Sequence, residues 1–160
     1  MTETTTRQRF PRELVASTLF LLKRLGFAAK ERGFEAYEAA GLHPYHHAIL
    51  AVLDEEDRET QGEIADALGY DRGQLVGLLD ELEDMGLVER ERDKQDRRRQ
   101  IVRATPAGRR ALTKARALAE SLDAEFLAPL DAREREQLHA LLLRLAEQHL
   151  PACRDLTRPR

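Results

Sequence analysis

The stretch Thr60-Gln61-Gly62-Glu63-Ile64-Ala65-Asp66-Ala67-Leu68-Gly69-Tyr70-Asp71-Arg72-Gly73-Gln74-Leu75-Val76-Gly77-Leu78-Leu79-Asp80-Glu81-Leu82-Glu83-Asp84-Met85-Gly86 decides the fold. Thr60 and Glu63 stand at the spacing of a capping box, in which a hydroxyl and a carboxylate satisfy orphan amides at a helix start. Ile64, Ala65 and Leu68 then recur on one helical face, and Gly69 ends the helix. Asp71 is positioned to cap a second helix, whose inward stripe is Leu75, Leu78, Leu79 and Leu82 and whose end is Gly86. A short helix, a glycine-containing turn and a second helix make a helix-turn-helix.

Downstream, the period changes from helical to alternating. Val88–Arg92 and Gln100–Ala104 read as two strands, joined by the polar turn Asp93-Lys94-Gln95-Asp96-Arg97-Arg98. This is a β-hairpin tipped with arginines, a wing. Thr105 and Pro106 then open a helix with the stripe Ala111, Leu112, Ala115, Leu118, Ala119, Leu122 and Phe126, stopped by Pro129. Asp131 and Glu134 cap a last helix carrying Leu138, Leu141, Leu142 and Leu145, which ends near Leu150 and Pro151.

Upstream, Pro44 starts a helix with apolar positions Ala48, Ile49, Val52 and Leu53, and residues 54–59 read as an acidic loop. Residues 11–40 carry one helical pattern through Leu14, Thr18, Leu21, Leu22, Leu25, Ala28 and Ala29, with Gly26 and Gly33 as candidate bends. The expected class is mainly α with a small β-wing: a winged helix-turn-helix over residues 41–104, framed by helices at 11–40 and 105–150. A flexible arm at 1–10 and a tail at 151–160 complete the chain.

Bulk composition narrows the function. The chain has 160 residues and is 42% hydrophobic, with no apolar run long enough to span a bilayer. Residues 1–12 lack the apolar core of a signal peptide. Cys153 is the single cysteine, which rules out an intrachain disulfide and leaves an incidental thiol. A cytoplasmic protein with no membrane partner is the expectation. The formal net charge is −3, yet eight positive side chains lie between Arg97 and Arg116 with no Asp or Glu among them. Phosphate responds to that local field rather than to the whole-chain sum. No nucleophile elbow or phosphate-binding glycine loop is present, and no carboxylate pair flanks an apolar cleft, so no enzyme activity is expected.

The second helix of the motif has a defined outward side. At 100° per residue it holds Gly73, Gly77, Asp80 and Asp84, flanked by Gln74 and Val76, with Arg72 at the N-terminal end. Arg72, Gln74 and Val76 have the chemistry to read guanine, adenine and the thymine methyl. The glycines read either as simple tolerance or as a bare face that seats deeply in the major groove. Thr60 and Gln61, at a helix N-terminus, read as a cap, a phosphate site or both.

The order of these elements, and the residues in them, resemble the MarR family. Gly41-Leu42-His43-Pro44 is similar to that family's entry to its second helix, Thr60-Gln61-Gly62-Glu63-Ile64-Ala65 to its third, and residues 80–88 to the end of its recognition helix. Asp96-Arg97-Arg98 resembles the D-x-R wing motif, and Thr105-Pro106-Ala107-Gly108 the start of its fifth helix. The resemblance covers about residues 11–150. It implies a homodimer built by the terminal helices, a palindromic duplex as partner, and release by a small ligand. It also implies that Arg98, oriented by Asp96, enters a minor groove while Arg97 and Arg99 lie near phosphates. The family often has a polar or basic side chain where Gly77 stands. A pocket below the dimer helices would use Arg24, Phe27, His43, Tyr45 and His46, a set suited to an aromatic carboxylate or phenol.

Two other readings stay open at this level. His43, His46 and His47 cluster at one helix start and set up a metal-responsive alternative, although no Cys or acidic ligand lies at close spacing and no metal or cofactor is assigned. A winged helix that binds protein instead of DNA is the second.

Overall fold

The computed structural model describes residues 9–56 and 59–153. The first expected helix is two: α1 (Arg12–Val15) and α2 (Thr18–Ala39). The break lies at Ser17, whose hydroxyl accepts the Phe20 N–H at 3.3 Å. Serine offers the backbone a cap in place of continued helix, and here that wins over the apolar periodicity. Gly26 and Gly33 do not interrupt α2. The residues expected to form a flexible arm lie outside the described set up to residue 8; Phe10 packs edge-to-face on Phe20, with ring centroids 5.2 Å apart.

The next helix, α3 (Pro44–Glu56), runs past Leu53, so residues 54–56 are its last turn and not an acidic loop. Asp54 is held there by Arg116 at 2.8 Å. Then comes a two-residue strand, β1 (Glu59–Thr60), followed by α4 (Gln61–Leu68) and α5 (Arg72–Asp84). The hairpin strands β2 (Val88–Arg92) and β3 (Gln100–Ala104) lie where the alternation put them. The wing gains a third strand that the sequence did not announce. β1 pairs antiparallel with β3, Glu59 opposite Val102 and Thr60 opposite Ile101, giving the order β1-β3-β2. Two long helices close the chain, α6 (Pro106–Phe126) and α7 (Ala132–His149), and Pro151–Cys153 form a short 3-10 turn.

The core belongs to the winged domain. Ile49, Leu50, Leu53, Ile64, Leu75, Leu79, Leu82 and Val102 are fully buried, so α3, α4, α5 and the sheet share one apolar centre. Each such side chain contributes about 1.5–3 kcal/mol of transfer free energy. The framing helices are built differently. Tyr37 is the one buried residue of α2, and α7 has none. Leu19 is 75% exposed and Leu141 55%, and Leu21, Leu25, Phe27, Leu142 and Leu145 are exposed beside them. Their stripes are amphipathic, but among the described residues nothing covers them.

The joint between the two parts is at the start of α6. The Thr105 hydroxyl donates to the Gly86 carbonyl at 2.7 Å and accepts the Gly108 N–H at 3.0 Å. The Thr105 N–H donates to the Leu87 carbonyl at 3.0 Å. These bonds weld α6 to the turn that ends α5, so α6 carries the orientation of the helix-turn-helix into the framing helices. Among the described residues, no helix is long and apolar enough to cross a membrane.

Candidate nucleic-acid interface

Three elements converge on one cleft of about 500 Å³: the start of α4, the first turns of α5, and the wing tip. Thr60, Gln61, Arg72, Val76, Arg98 and Arg99 are among its lining residues. A second cleft continues along β2, where Gln61 and Val76 meet Arg97 and Arg98. Gly73, Gln74 and Gly77 are exposed on α5 beside these clefts, while Leu75, Leu78, Leu79 and Leu82 face the core. The inward and outward sides of α5 are therefore those the 100° step assigned.

Local chemistry fixes each approach. Asp71 caps α5 through Gly73 N–H at 2.9 Å and Gln74 N–H at 3.2 Å, which sets Arg72 at the first helical position. The Thr60 capping box is complete: its hydroxyl accepts the Glu63 N–H, and its own N–H donates to the Glu63 carboxylate at 2.8 Å. The same hydroxyl donates to that carboxylate at 2.7 Å, so it is committed to Glu63. Those bonds hold the Glu63 carboxyl below its ordinary range. The Thr60 hydroxyl therefore serves the cap, and Thr60, Gln61 and Gly62 together line the cleft.

Asp96 acts on Arg98 through the backbone. Its carboxylate accepts the Arg98 backbone N–H at 3.0 Å and approaches the Arg99 guanidinium at 3.8 Å. It shapes the turn that presents Arg98 and does not grip the Arg98 side chain.

Two residues of this surface escaped the sequence reading. Arg90 and Arg92 line the second cleft from β2. Val88, Arg90 and Arg92 alternate onto one strand face, and period-two counting from the buried Val88 is the signal that finds them.

Gly77 gives a direct test of whether a bare face matters. A Cβ there meets nothing within 4 Å, so the protein itself does not require glycine. Gly77→Ala is expected to raise stability by up to about 1 kcal/mol through helix propensity. If the helix seats deeply, duplex affinity falls at the same time. Paired denaturation and binding titrations read both, and unchanged affinity would mean that the glycine is only tolerated.

The five residues expected to share a ligand pocket do not converge within one chain. Arg24 lies over the rings of Phe10 and Phe27. His43, Tyr45 and His46 belong to another aromatic group with Phe34 and Tyr70. Arg24 and Phe34 are ten residues apart on α2, about 15 Å along its axis, and that rise is the reason. The larger apolar cleft lies instead between α2, α6 and α7, about 570 Å³, where Leu22, Ala29, Leu122 and Phe126 meet Arg32 and His139.

The three histidines take different hydrogen-bond partners, although the His43 and His46 rings stand 5.7 Å apart. His46 is buried, with Nε2 2.9 Å from the Glu81 carboxylate. His47 Nδ1 lies 2.6 Å from the Tyr37 hydroxyl, and His43 Nδ1 accepts the Tyr45 N–H at 3.3 Å. Successive residues on a helix point 100° apart, so each ring finds its own partner. Among the described residues, no three ligating side chains are grouped for a metal ion, which corrects the metal alternative.

Burial and Arg116 lower the pKa of His47; burial and His46 lower that of His43 against the opposing pull of Glu81 and Glu38. The fold thus prefers both rings neutral. Below the ordinary value of 6.5 the unfolded chain binds protons that the folded one resists, so stability is lost as pH falls. Thermal midpoints are expected to drop between about pH 7 and 5.5, and His47→Gln should flatten that drop. A profile unchanged in the variant would remove His47 from the account.

A helix-turn-helix whose second helix presents its polar side beside an arginine-tipped hairpin is a winged helix-turn-helix, the build of a DNA-binding protein. A family model described as the MarR family matches residues 40–99. The transcriptional regulator HosA of Escherichia coli O157:H7 is 31% identical over 100 residues, covering 62% of this chain and 74% of its own length. A putative transcriptional regulatory protein for the hcr operon of Thauera aromatica is 33% identical over 108 residues, or 68% of this chain; the match spans 65% of that relative's length. Among solved structures, the transcriptional repressor CouR bound to a 23-mer DNA duplex superposes with a TM-score of 0.78 at 30% identity, covering 87% of this chain and 99% of that one. CouR from Rhodococcus jostii RHA1 bound to p-coumaroyl-CoA gives 0.71 at 29% identity, covering 88% and 97%. The chain belongs to the MarR family, whose members are transcriptional regulators and not enzymes.

Proposed function

We propose that this protein is a ligand-responsive transcriptional repressor that binds a palindromic duplex as a homodimer. The observation that carries the reading is the meeting of α4, the N-terminal turns of α5 and the Arg98-bearing wing tip on one cleft. That arrangement lets one element enter a major groove while another reaches the neighbouring minor groove. In this reading Arg72 reads guanine, Gln74 adenine and Val76 a thymine methyl, each worth about 1–3 kcal/mol of discrimination. Arg97 and Arg99 serve phosphates, Gln61 contributes from the start of α4, and Gly73 and Gly77 keep the approach open. Asp96 holds the wing turn.

Support for the dimer comes from the uncovered leucines of α2 and α7, since apolar patches of this extent mark interfaces. Support for an effector comes from the cleft between α2, α6 and α7. Its apolar walls and its Arg32, Arg135 and His139 suit an aromatic ring bearing an anionic group. CouR, which binds p-coumaroyl-CoA, is the precedent. The cleft borders α6, the helix welded to the turn after α5, so an occupant would act on the reading helix through that joint.

The test is a gel shift with the DNA upstream of the protein's own gene. Binding of a palindrome there, by a species of twice the chain mass, is the expected result. No binding to any segment of that region would count heavily against the proposal.

A further inference from the structure

The arginines of the wing are not equivalent. Arg92, Arg97 and Arg98 form no ion pair among the described residues, and all three are exposed. Arg90 is different: its side chain is 17% exposed. Its Nη2 donates to Asp80 Oδ1 at 2.6 Å and to the Glu83 carboxylate, and its Nε donates to Glu83 Oε2 at 3.0 Å. Its backbone N–H adds a bond to Glu83 Oε1 at 3.3 Å. One guanidinium on β2 thus grips two carboxylates a turn apart on α5, Asp80 on its outward side and Glu83 on the flank it shares with Val76.

From these contacts we propose that Arg90 is a positioning residue for duplex binding. It fixes the wing's angle to the reading helix and is not itself a phosphate contact. The inference rests on the reading of the cleft as a duplex-binding face. Apart from this grip, the hairpin is held at its base, by the turn at Gly86, where φ is +69°, by Val88 and Val102 in the shared core and by β1 on β3, while residues 94–100 toward the tip are exposed. By the hairpin register Arg98 lies level with Lys94, about 13 Å from Arg90 at strand rise, so a swing of about 10° moves it by about 2 Å. That is most of a hydrogen-bond length, enough to break a contact in a groove that α5 would still enter. A planar fork holding two carboxylates resists such a swing. Because Asp80 and Glu83 are half-exposed, the same contacts contribute little to stability. The grip therefore matters to geometry far more than to folding.

Removing the carboxylates separates this account from plain electrostatics. Glu83→Gln takes a negative charge off α5 beside the wing. If Arg90 only adds positive charge, that change frees it and binding tightens. If Arg90 is a clamp, binding weakens although the surface becomes more positive. The experiment measures the full-length protein on a duplex that it selects from a random pool, between 50 and 200 mM salt. Glu83→Gln is expected to weaken binding roughly tenfold, less than Arg98→Ala, because Asp80 still holds Arg90. Arg90→Gln should weaken binding further, toward the level of Arg98→Ala, and in the Arg98→Ala background it should leave the slope of log K against log salt unchanged, because Arg90 itself makes no phosphate contact. Arg90→Gln combined with Arg98→Ala should bind within about twofold of Arg98→Ala alone, since a misplaced contact cannot be lost twice. Arg90→Lys should recover only part of the loss.

Tighter binding by Glu83→Gln, a slope that Arg90→Gln lowers further in the Arg98→Ala background, or losses that multiply in the double variant would each overturn the clamp. Thermal midpoints are read alongside. If Arg90→Gln does not fold, Glu83→Gln with Arg90 intact still decides the sign. Failure of the wild-type chain to select any duplex would instead sink the underlying reading.

Discussion

Replacing Gly108 by alanine is expected to destabilise the protein by about 3 kcal/mol or more, the upper end of ordinary overpacking. A Cβ at this position would stand 2.0 Å from the Leu87 carbonyl oxygen and 3.0 Å from its carbon, with a Leu50 methyl at 3.4 Å. The obstacle is backbone. It also accepts the Thr105 N–H, so it has no rotamer through which to retreat. Relief requires α6 to lift from the turn after α5, which breaks the Thr105 contacts that join the two parts of the chain. Denaturant titration measures the loss, and any sample that stays folded should have lost duplex affinity as well. Gly77→Ala is the internal control: the same substitution, in a helix, with open space around it. Equal effects at the two positions would show that the contact with Leu87 is not what makes Gly108 necessary.

Arg98→Ala is the second large effect, and it falls on binding rather than folding. Arg98 is exposed at the wing tip, presented by the Asp96 carboxylate through its own backbone N–H, and it lines both clefts. Its removal leaves the core untouched, so the thermal midpoint should stay within a degree or two. In a symmetric dimer each substitution is counted twice. At about 1–3 kcal/mol per groove contact, duplex affinity falls at least ~30-fold. The slope of log K against log salt should fall by up to about 2, one released counterion per arginine. A variant that binds as tightly as wild type, with the same slope, would remove the wing from the interface.

Much of this fold was legible because its punctuation is chemical. Thr60 with Glu63, Asp71, Thr105 with Pro106, and Asp131 with Glu134 each announce a helix start, and each is a cap in the structure. Both hairpin strands were readable from alternation, and the leucine stripe of α5 from its 3.6-residue period. What was not legible depends on partners distant in sequence. β1 is two residues long and exists because β3 lies beside it, so no local period betrays it. Residues 54–56 look like a loop by charge, yet they stay helical with Arg116 of α6 pairing Asp54. Ser17 was a readable cap hidden inside a convincing apolar pattern.

The candidate interface divides the same way. Arg72, Gln74 and Val76 could be placed outward from helix geometry alone. Arg90 could not be told from its neighbours, because its role lies in two carboxylates seven and ten residues away on another element. The grouping of Arg24 and Phe27 apart from His43, Tyr45 and His46 needed the length of α2 in space, which sequence adjacency along the pocket's expected level did not supply. Glycine at 108 carries its meaning only once the Leu87 carbonyl is known to lie against it.

The central claim is that paired helix-turn-helix clefts dock against successive grooves of one duplex. Hydroxyl-radical footprinting of the selected duplex tests it directly. The account predicts two protected windows centred about 10 base pairs, or one further helical turn, apart, related by two-fold symmetry, each flanked by protection on its minor-groove side. The flanking protection should disappear with Arg98→Ala while the two central windows persist. A single unsymmetrical window, or uniform protection with no helical period, would contradict the account.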